Sequence, residues 1–229
     1  MRSLLADLEC DVIAPEGSHR ATVIWLHGIG QDSHHVASVA QDLDLADAGV
    51  RSVCPRAPEQ SVSSMTGVPV RAWMDQNVLA LAEADLDTLV ATESKLRAVV
   101  SAEARRVGAN RVVIAGFSQG ATMALITGLR YPETLSGLIL YAPSPPIDGV
   151  DLPATRSDAN AHVPICIGHG RFDWVIPTAV GEQVRDTLAA WGHPVSWNLC
   201  RSGHEPFVGA PKRLRGFLDE VLLRSGETT

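Results

Sequence analysis

Hydrophobic positions in this chain form short unbroken runs separated by longer, spaced patterns. Ala21-Thr22-Val23-Ile24-Trp25-Leu26 is one such run, ending at His27-Gly28. Residues 50–54, 111–115, 137–141 and 163–167 read as further strands, and 195–199 as strand-like. Runs this short and this apolar predict strands covered on both faces. Between them, apolar residues recur every three or four positions. Leu86, Leu89, Val90, Leu96, Val99 and Val100 predict one long amphipathic helix over residues 79–107. Its acids Glu83, Asp85 and Asp87 come early and its bases Arg105 and Arg106 late, which suits the helix dipole, and Gly108 supplies a stop. Further helices are predicted over residues 33–48, 119–130, 177–191 and 207–223, with Pro177 near a first turn. Strand–helix alternation of this kind predicts an α/β protein, with a mostly parallel central sheet and helices on both faces. Two long irregular stretches, residues 55–71 and 142–162, interrupt the pattern, and loops of that length inside a compact domain usually carry function. No repeat or linker divides the chain, so residues 1–229 are expected to form a single domain.

Composition narrows the function classes. With 45% hydrophobic and 20% charged residues the chain is an ordinary globular one. A net charge of −7 and no basic cluster longer than Arg105-Arg106 or Lys212-Arg213 argue against nucleic acid as a partner. Cys10, Cys54, Cys166 and Cys200 are far apart, without a C-x-x-C spacing, and read as buried free thiols. Asp7, Glu9 and Asp11 break the N-terminal segment too early for a signal peptide. No apolar run approaches the roughly 18 residues of a membrane span, so a cytoplasmic protein is expected.

The candidate chemistry lies in Val112 to Thr122, where a strand pattern runs into Gly116-Phe117-Ser118-Gln119-Gly120 and then a helix. Gly-x-Ser-x-Gly arises by chance in roughly one chain of this length in ten, so the motif alone decides nothing. In strand–turn–helix context it is the turn that holds a nucleophilic serine out of a sheet, with glycines where side chains would collide. A serine hydroxyl needs a base. His204, in Ser202-Gly203-His204-Glu205-Pro206, follows a predicted strand, where ligand chemistry in parallel sheets gathers, whereas His162 and His193 precede their strands. Asp173, in His169-Gly170-Arg171-Phe172-Asp173, also follows a strand, and Ser118, Asp173, His204 is the hydrolase order. Asp148, Asp151 and Asp158 lie before that strand and fit less well, and Asp186 falls mid-helix. Two backbone N–H groups should stabilise the oxyanion, and Gln119 and Ile29, the latter in Leu26-His27-Gly28-Ile29-Gly30-Gln31-Asp32, are the candidates. His27 reads as support for that loop.

With these residues in place, the chain resembles the carboxylesterase/phospholipase family, which includes acyl-protein thioesterases, within the α/β-hydrolase superfamily. The resemblance runs from about Ala21 to the final helix and rests on "LHGIGQD", "PRAP", "RAWMD", "GFSQG", "HGRFDWVIP" and "GHE" together. It implies the α/β-hydrolase fold, with Ser118, Asp173 and His204 as nucleophile, acid and base, and Ile29 and Gln119 as oxyanion donors. Ala121, Arg56 and the Ala142-Pro143-Ser144-Pro145-Pro146 run depart from the family's usual residues, the last two near the expected cleft.

The expected function is cleavage of carboxylic esters or thioesters of short-to-medium acyl chains, without metal or organic cofactor. Lysophospholipase or acyl-protein thioesterase activity is the nearest alternative, and a non-catalytic acyl-ligand-binding protein is the alternative from another class. Met65, Trp73, Met74 and Trp174 are candidates for an apolar wall around the acyl chain. Asp32, His34 and His35 offer an alternative reading as a metal site, disfavoured because adjacent histidines on a helix face different directions. The partner is a small-molecule substrate, and a homodimer stays open.

Overall fold

The computed structural model describes residues 1–65, 67–208 and 211–223. An eight-stranded sheet forms from β1 (Arg2–Leu5), β2 (Leu8–Ile13), β3 (Ala21–Leu26), β4 (Val50–Pro55), β7 (Val112–Phe117), β8 (Gly137–Tyr141), β9 (Ile165–Gly170) and β10 (Val195–Cys200). Their order across the sheet is β1-β2-β4-β3-β7-β8-β9-β10. Every pairing from β4 to β10 is parallel, while β1–β2 and β2–β4 are antiparallel. A separate two-stranded ribbon pairs β5 (Glu59–Gln60) with β6 (Val70–Arg71) inside the first long loop.

Both faces are covered, as the unbroken apolar runs require. One core layer gathers Ile24, Leu26, Val112, Ile114, Leu138 and Leu140 against α2 (Leu86–Val107), α3 (Gln119–Arg130) and α5 (Thr178–Ala190). The other gathers Val23, Trp25, Val113, Ala115, Ile139 and Tyr141 against α1 (Ser33–Asp42) and α6 (Pro211–Leu218). Strand neighbours alternate between the two layers, the two-residue period of a pleated sheet. The four cysteines sit buried and free on β2, β4, β9 and β10. Among the described residues no helix is long and apolar enough to cross a membrane.

Several boundaries differ from the sequence pattern. The β1–β2 hairpin is not predicted at all, although Leu8, Cys10 and Val12 alternate inward with Glu9 and Asp11 between them. The first helix stops at Asp42 rather than Ala48. Asp42, Asp44 and Asp47 cluster where the dipole disfavours negative charge, and Asp44 turns to φ 48°. The long helix begins at Leu86, not Leu79, because Asp85 caps it by accepting from Thr88 N–H at 2.8 Å. The closing helix runs over Pro211–Leu218 and continues as a π turn through Asp219–Leu223. Residues 209 and 210 of the predicted segment lie outside the described residues. The second long loop carries a short helix, α4 (Leu152–Thr155), capped by Asp151.

One charged cluster ties α2 to the sheet. Glu103 is fully buried, with Arg51 Nε of β4 at 3.2 Å and Thr22 Oγ1 of β3 donating to it at 3.1 Å. Stranding one member of a buried ion pair costs about 3–5 kcal/mol, whereas replacing both by apolar residues costs far less. Arg106 Nε also faces Glu103 at 3.5 Å, so Arg51→Met should lower unfolding free energy by about 1–3 kcal/mol, and adding Glu103→Met should restore part of it. Urea denaturation of the three proteins measures this. A double variant no more stable than Arg51→Met would show that the charge is not what holds α2.

Candidate active site

The carboxyl ends of the parallel strands open on one edge of the sheet, and the predicted site residues follow them. Residues 27–32 follow β3, Ser118 follows β7, Asp173 follows β9 by three residues and His204 follows β10 by four. Ser118 has φ 54° and ψ −123°, backbone that a side-chain-bearing residue rarely adopts. Its N–H donates to Tyr141 O at 2.8 Å. The turn is so tight that a Cβ on Gly116 would lie 2.2 Å from Gly120 O, and one on Gly120 would lie 2.4 Å from Leu26 O. The two spaced glycines are thus a condition of the turn.

Ser118, His204 and Asp173 come together as a hydrogen-bonded chain. His204 Nε2 lies 3.0 Å from Ser118 Oγ, and His204 Nδ1 lies 2.7 Å from Asp173 Oδ2. The loops bearing the acid and the histidine are joined by backbone bonds, Arg171 N–H to Cys200 O at 2.8 Å and Phe172 N–H to Ser202 O at 3.0 Å. Phe117 backs the His204 ring at 4.7 Å between centroids. Asp173 Oδ1 accepts the N–H groups of Val175 at 2.9 Å and Ile176 at 2.8 Å. Burial works against the Asp173 carboxylate, but the bonds from His204, Ile176 and Val175 outweigh it and hold its pKa below the usual range. An ionised acid is what the partner of an imidazole must be.

Sequence reasoning missed a second histidine here. His169 is fully buried, donates from Nε2 to Ile176 O at 2.9 Å, and has that nitrogen 3.5 Å from Asp173 Oδ2. Burial pushes its pKa down, so it backs the acid as a neutral ring. Its only signal is its place four residues before Asp173.

Ile29 N–H and Gln119 N–H donate to no group among the described residues. His27 is the loop support expected of it. It is fully buried, its Nδ1 bonds Gly28 O at 2.8 Å and its Nε2 accepts Ala57 N–H at 3.1 Å. Burial presses its pKa down to about 4, so the ring stays neutral with the proton on Nδ1. Arg56 supports the end of this loop. Its guanidinium lies 3.3 Å from Asp32 Oδ1 and 3.3 Å from Asp11 Oδ2. Asp32 also faces Arg71 at 3.4 Å and caps α1, while the His34 and His35 rings pack together at 3.9 Å. These three therefore serve the helix start and the ion network, and among the described residues no cluster of three or more ligating side chains could hold a metal.

The four expected wall residues divide. Trp174 is 85% exposed beside Asp173, and Met65 is half-exposed in the loop after β4. Trp73 and Met74 are fully buried and present no open surface, because Trp73 Nε1–H donates to His27 O at 2.7 Å and both side chains pack into the core. An open depression of about 400 Å³, lined by Ser63, Asp75, Glu83 and Asp85, is acidic and includes no triad member. An apolar crevice between α3, α5 and the loop after β8 has a volume of only about 20 Å³.

A nucleophile–imidazole–carboxylate chain beside two unpartnered N–H groups is the arrangement of a serine hydrolase, suited to acyl transfer from esters or thioesters. Known proteins agree. An acyl-protein thioesterase 1 from Yarrowia lipolytica is 32% identical over 181 residues, covering 77% of this chain and 79% of its own. The crystal structure of esterase PE8 superposes with a TM-score of 0.79 at 25% identity, over 94% of this chain and 99% of that one. Zea mays acyl-protein thioesterase 2 superposes with a TM-score of 0.75 at 26% identity, over 93% and 98%. Residues 8–221 match the phospholipase/carboxylesterase family, to which, by that match and by the geometry of Ser118, His204 and Asp173, the chain belongs.

Proposed function

We propose that this chain is a single catalytic domain that hydrolyses esters or thioesters of short-to-medium acyl chains through an acyl-enzyme on Ser118. The observation that carries this reading is the 3.0 Å and 2.7 Å chain from Ser118 Oγ through His204 to Asp173. His204 Nε2 takes the Ser118 proton as Oγ bonds to the acyl carbon. The carbonyl electron pair moves onto oxygen, which Ile29 N–H and Gln119 N–H receive. When the tetrahedral adduct collapses, His204 returns the proton to the leaving alcohol or thiol. Water then repeats the sequence and releases the acid. Asp173 holds the imidazole tautomer and offsets the imidazolium charge that forms. No step in this scheme calls on a metal or an organic cofactor.

Supporting the acyl preference, Met65 and Trp174 expose apolar surface on loops that leave β4 and β9 at the edge where Ser118 stands. An exposed rim rather than a deep cavity suits a modest gain per methylene. The relatives' names include acyl-protein thioesterases, so a thioester of a protein-bound acyl group is the second substrate reading.

Ser118→Ala and His204→Ala should each lose at least ~1,000-fold in kcat, with the double variant no slower than the worse single one, because the two act as one unit. Steady-state kinetics on p-nitrophenyl butyrate measures this, and losses that multiply would break the assignment. Asp173→Asn should cost orders of magnitude, while Asp151→Asn, a helix cap, leaves kcat near the wild-type value. For the acyl group, kcat/KM should rise by up to about fourfold per methylene from acetate to butyrate, since a buried methylene is worth about 0.8 kcal/mol. Trp174→Ala and Met65→Ala should flatten that rise. An optimum at acetate, or three profiles of identical shape, would remove the acyl wall.

A further inference from the structure

The two N–H groups assigned to the oxyanion hole come from loops that follow different strands. The sheet holds those strands in register up to the Leu26–Gly116 pair and no further. Beyond it, Gly120 approaches Leu26 O and His27 O closely, which limits the distance between the loops but does not aim their peptide planes. The aim comes from the segment Arg71-Ala72-Trp73-Met74, which bonds both loops.

On the β3 side, Arg71 O accepts Gly30 N–H at 2.8 Å, and Trp73 Nε1–H donates to His27 O at 2.7 Å. The Trp73 ring also packs on the His27 ring at 5.0 Å. His27 Nδ1–H in turn holds Gly28 O at 2.8 Å. Gly28 C=O and Ile29 N–H belong to one trans peptide and point in opposite directions, so pinning that carbonyl points Ile29 N–H the other way. On the α3 side, Trp73 N–H donates to Gln119 Oε1 at 2.7 Å, and Gln119 Nε2 donates to Met74 O at 3.0 Å. Trp73, Met74 and Gln119 are all buried, so the bonds among these three do not compete with water.

We infer that Trp73 and the side chain of Gln119 are positioning residues that brace the oxyanion hole, fixing the aim and separation of Ile29 N–H and Gln119 N–H. The inference rests on the assignment of those two groups as the oxyanion donors. Trp73 is the hinge pin of the brace, since its side chain bonds one loop and its backbone the other. Electrostatic stabilisation of an oxyanion depends on donors that need no reorganisation when the charge develops, so a loosened brace should cost transition-state binding and spare ground-state binding.

The test uses Trp73→Phe, which keeps an aromatic ring but has no N–H, and Gln119→Met, which keeps the length of the side chain but neither polar atom. Active sites are counted by titration with a fluorophosphonate, so misfolded protein drops out of the rates. Per titrated site, each variant should lose about 10- to 100-fold in kcat on p-nitrophenyl butyrate, with KM within about threefold of wild type. Affinity for an alkyl trifluoromethyl ketone, whose serine adduct places an oxyanion in the hole, should fall by a similar factor. The double variant should lose less than the product of the two single losses, because both loosen one spacing. A kcat per site within about twofold of wild type would overturn the brace, as would lost kcat with unchanged ketone affinity. If Trp73→Phe yields no titratable protein, the same readouts on Gln119→Met decide. Failure of the functional reading looks different: the wild type itself would take no fluorophosphonate on Ser118, or Ser118→Ala would remain active.

Discussion

The tight approach between the strand end at Gly116 and the start of α3 at Gly120 is the constraint on which the rest depends. Ser118 stands at φ 54° only because nothing larger than hydrogen occupies either position. The same closeness brings the α3 N-terminus against the carbonyls of Leu26 and His27, so one backbone contact joins the central strand, the nucleophile and the loop after β3. A strained residue persists where its surroundings over-determine it. Here the surroundings are parallel strands buried on both faces, with Ser118 N–H tied to Tyr141 O of the next strand.

Around that point the protein relies on neutral, buried, hydrogen-bonded rings more than on charge. His27 and His169 are both held neutral by burial, one orienting a peptide and the other backing an acid. The formal charges are displaced outward, into the Asp11, Asp32, Arg56 and Arg71 network at the end of the loop after β3. That leaves Asp173 as the ionised group in direct line with the nucleophile, so the imidazolium that forms at His204 has its counter-charge at 2.7 Å.

The parts legible in the sequence are those encoded locally. β7 and β8 are apolar at every position because both faces are covered, and the triad could be placed because each member sits just past a strand pattern, in hydrolase order. The β1–β2 hairpin escaped because Glu9 and Asp11 on its outer face break the apolar run, while the inward alternation of Leu8, Cys10 and Val12 is brief. Helix ends moved where a single side chain decides them, as Asp85 does for α2. Trp73 was legible as an apolar residue near the cleft but not as a hydrogen-bond donor, because its partners lie 46 residues away in each direction along the chain. Pairing over that separation leaves no periodicity to read.

The placement of His204 has a consequence for synthesis. The nucleophile follows β7, near the middle of the sheet, but the base follows β10, which among the described strands comes last in sequence and forms an edge of the sheet. Chains emerge from the ribosome N-terminus first. While β10 is still inside the exit tunnel, Ser118 has neither its base nor the loop contact that locks Asp173 beside it. A nascent chain therefore carries an inert hydroxyl at Ser118 until β10 has emerged and docked at the edge of the sheet.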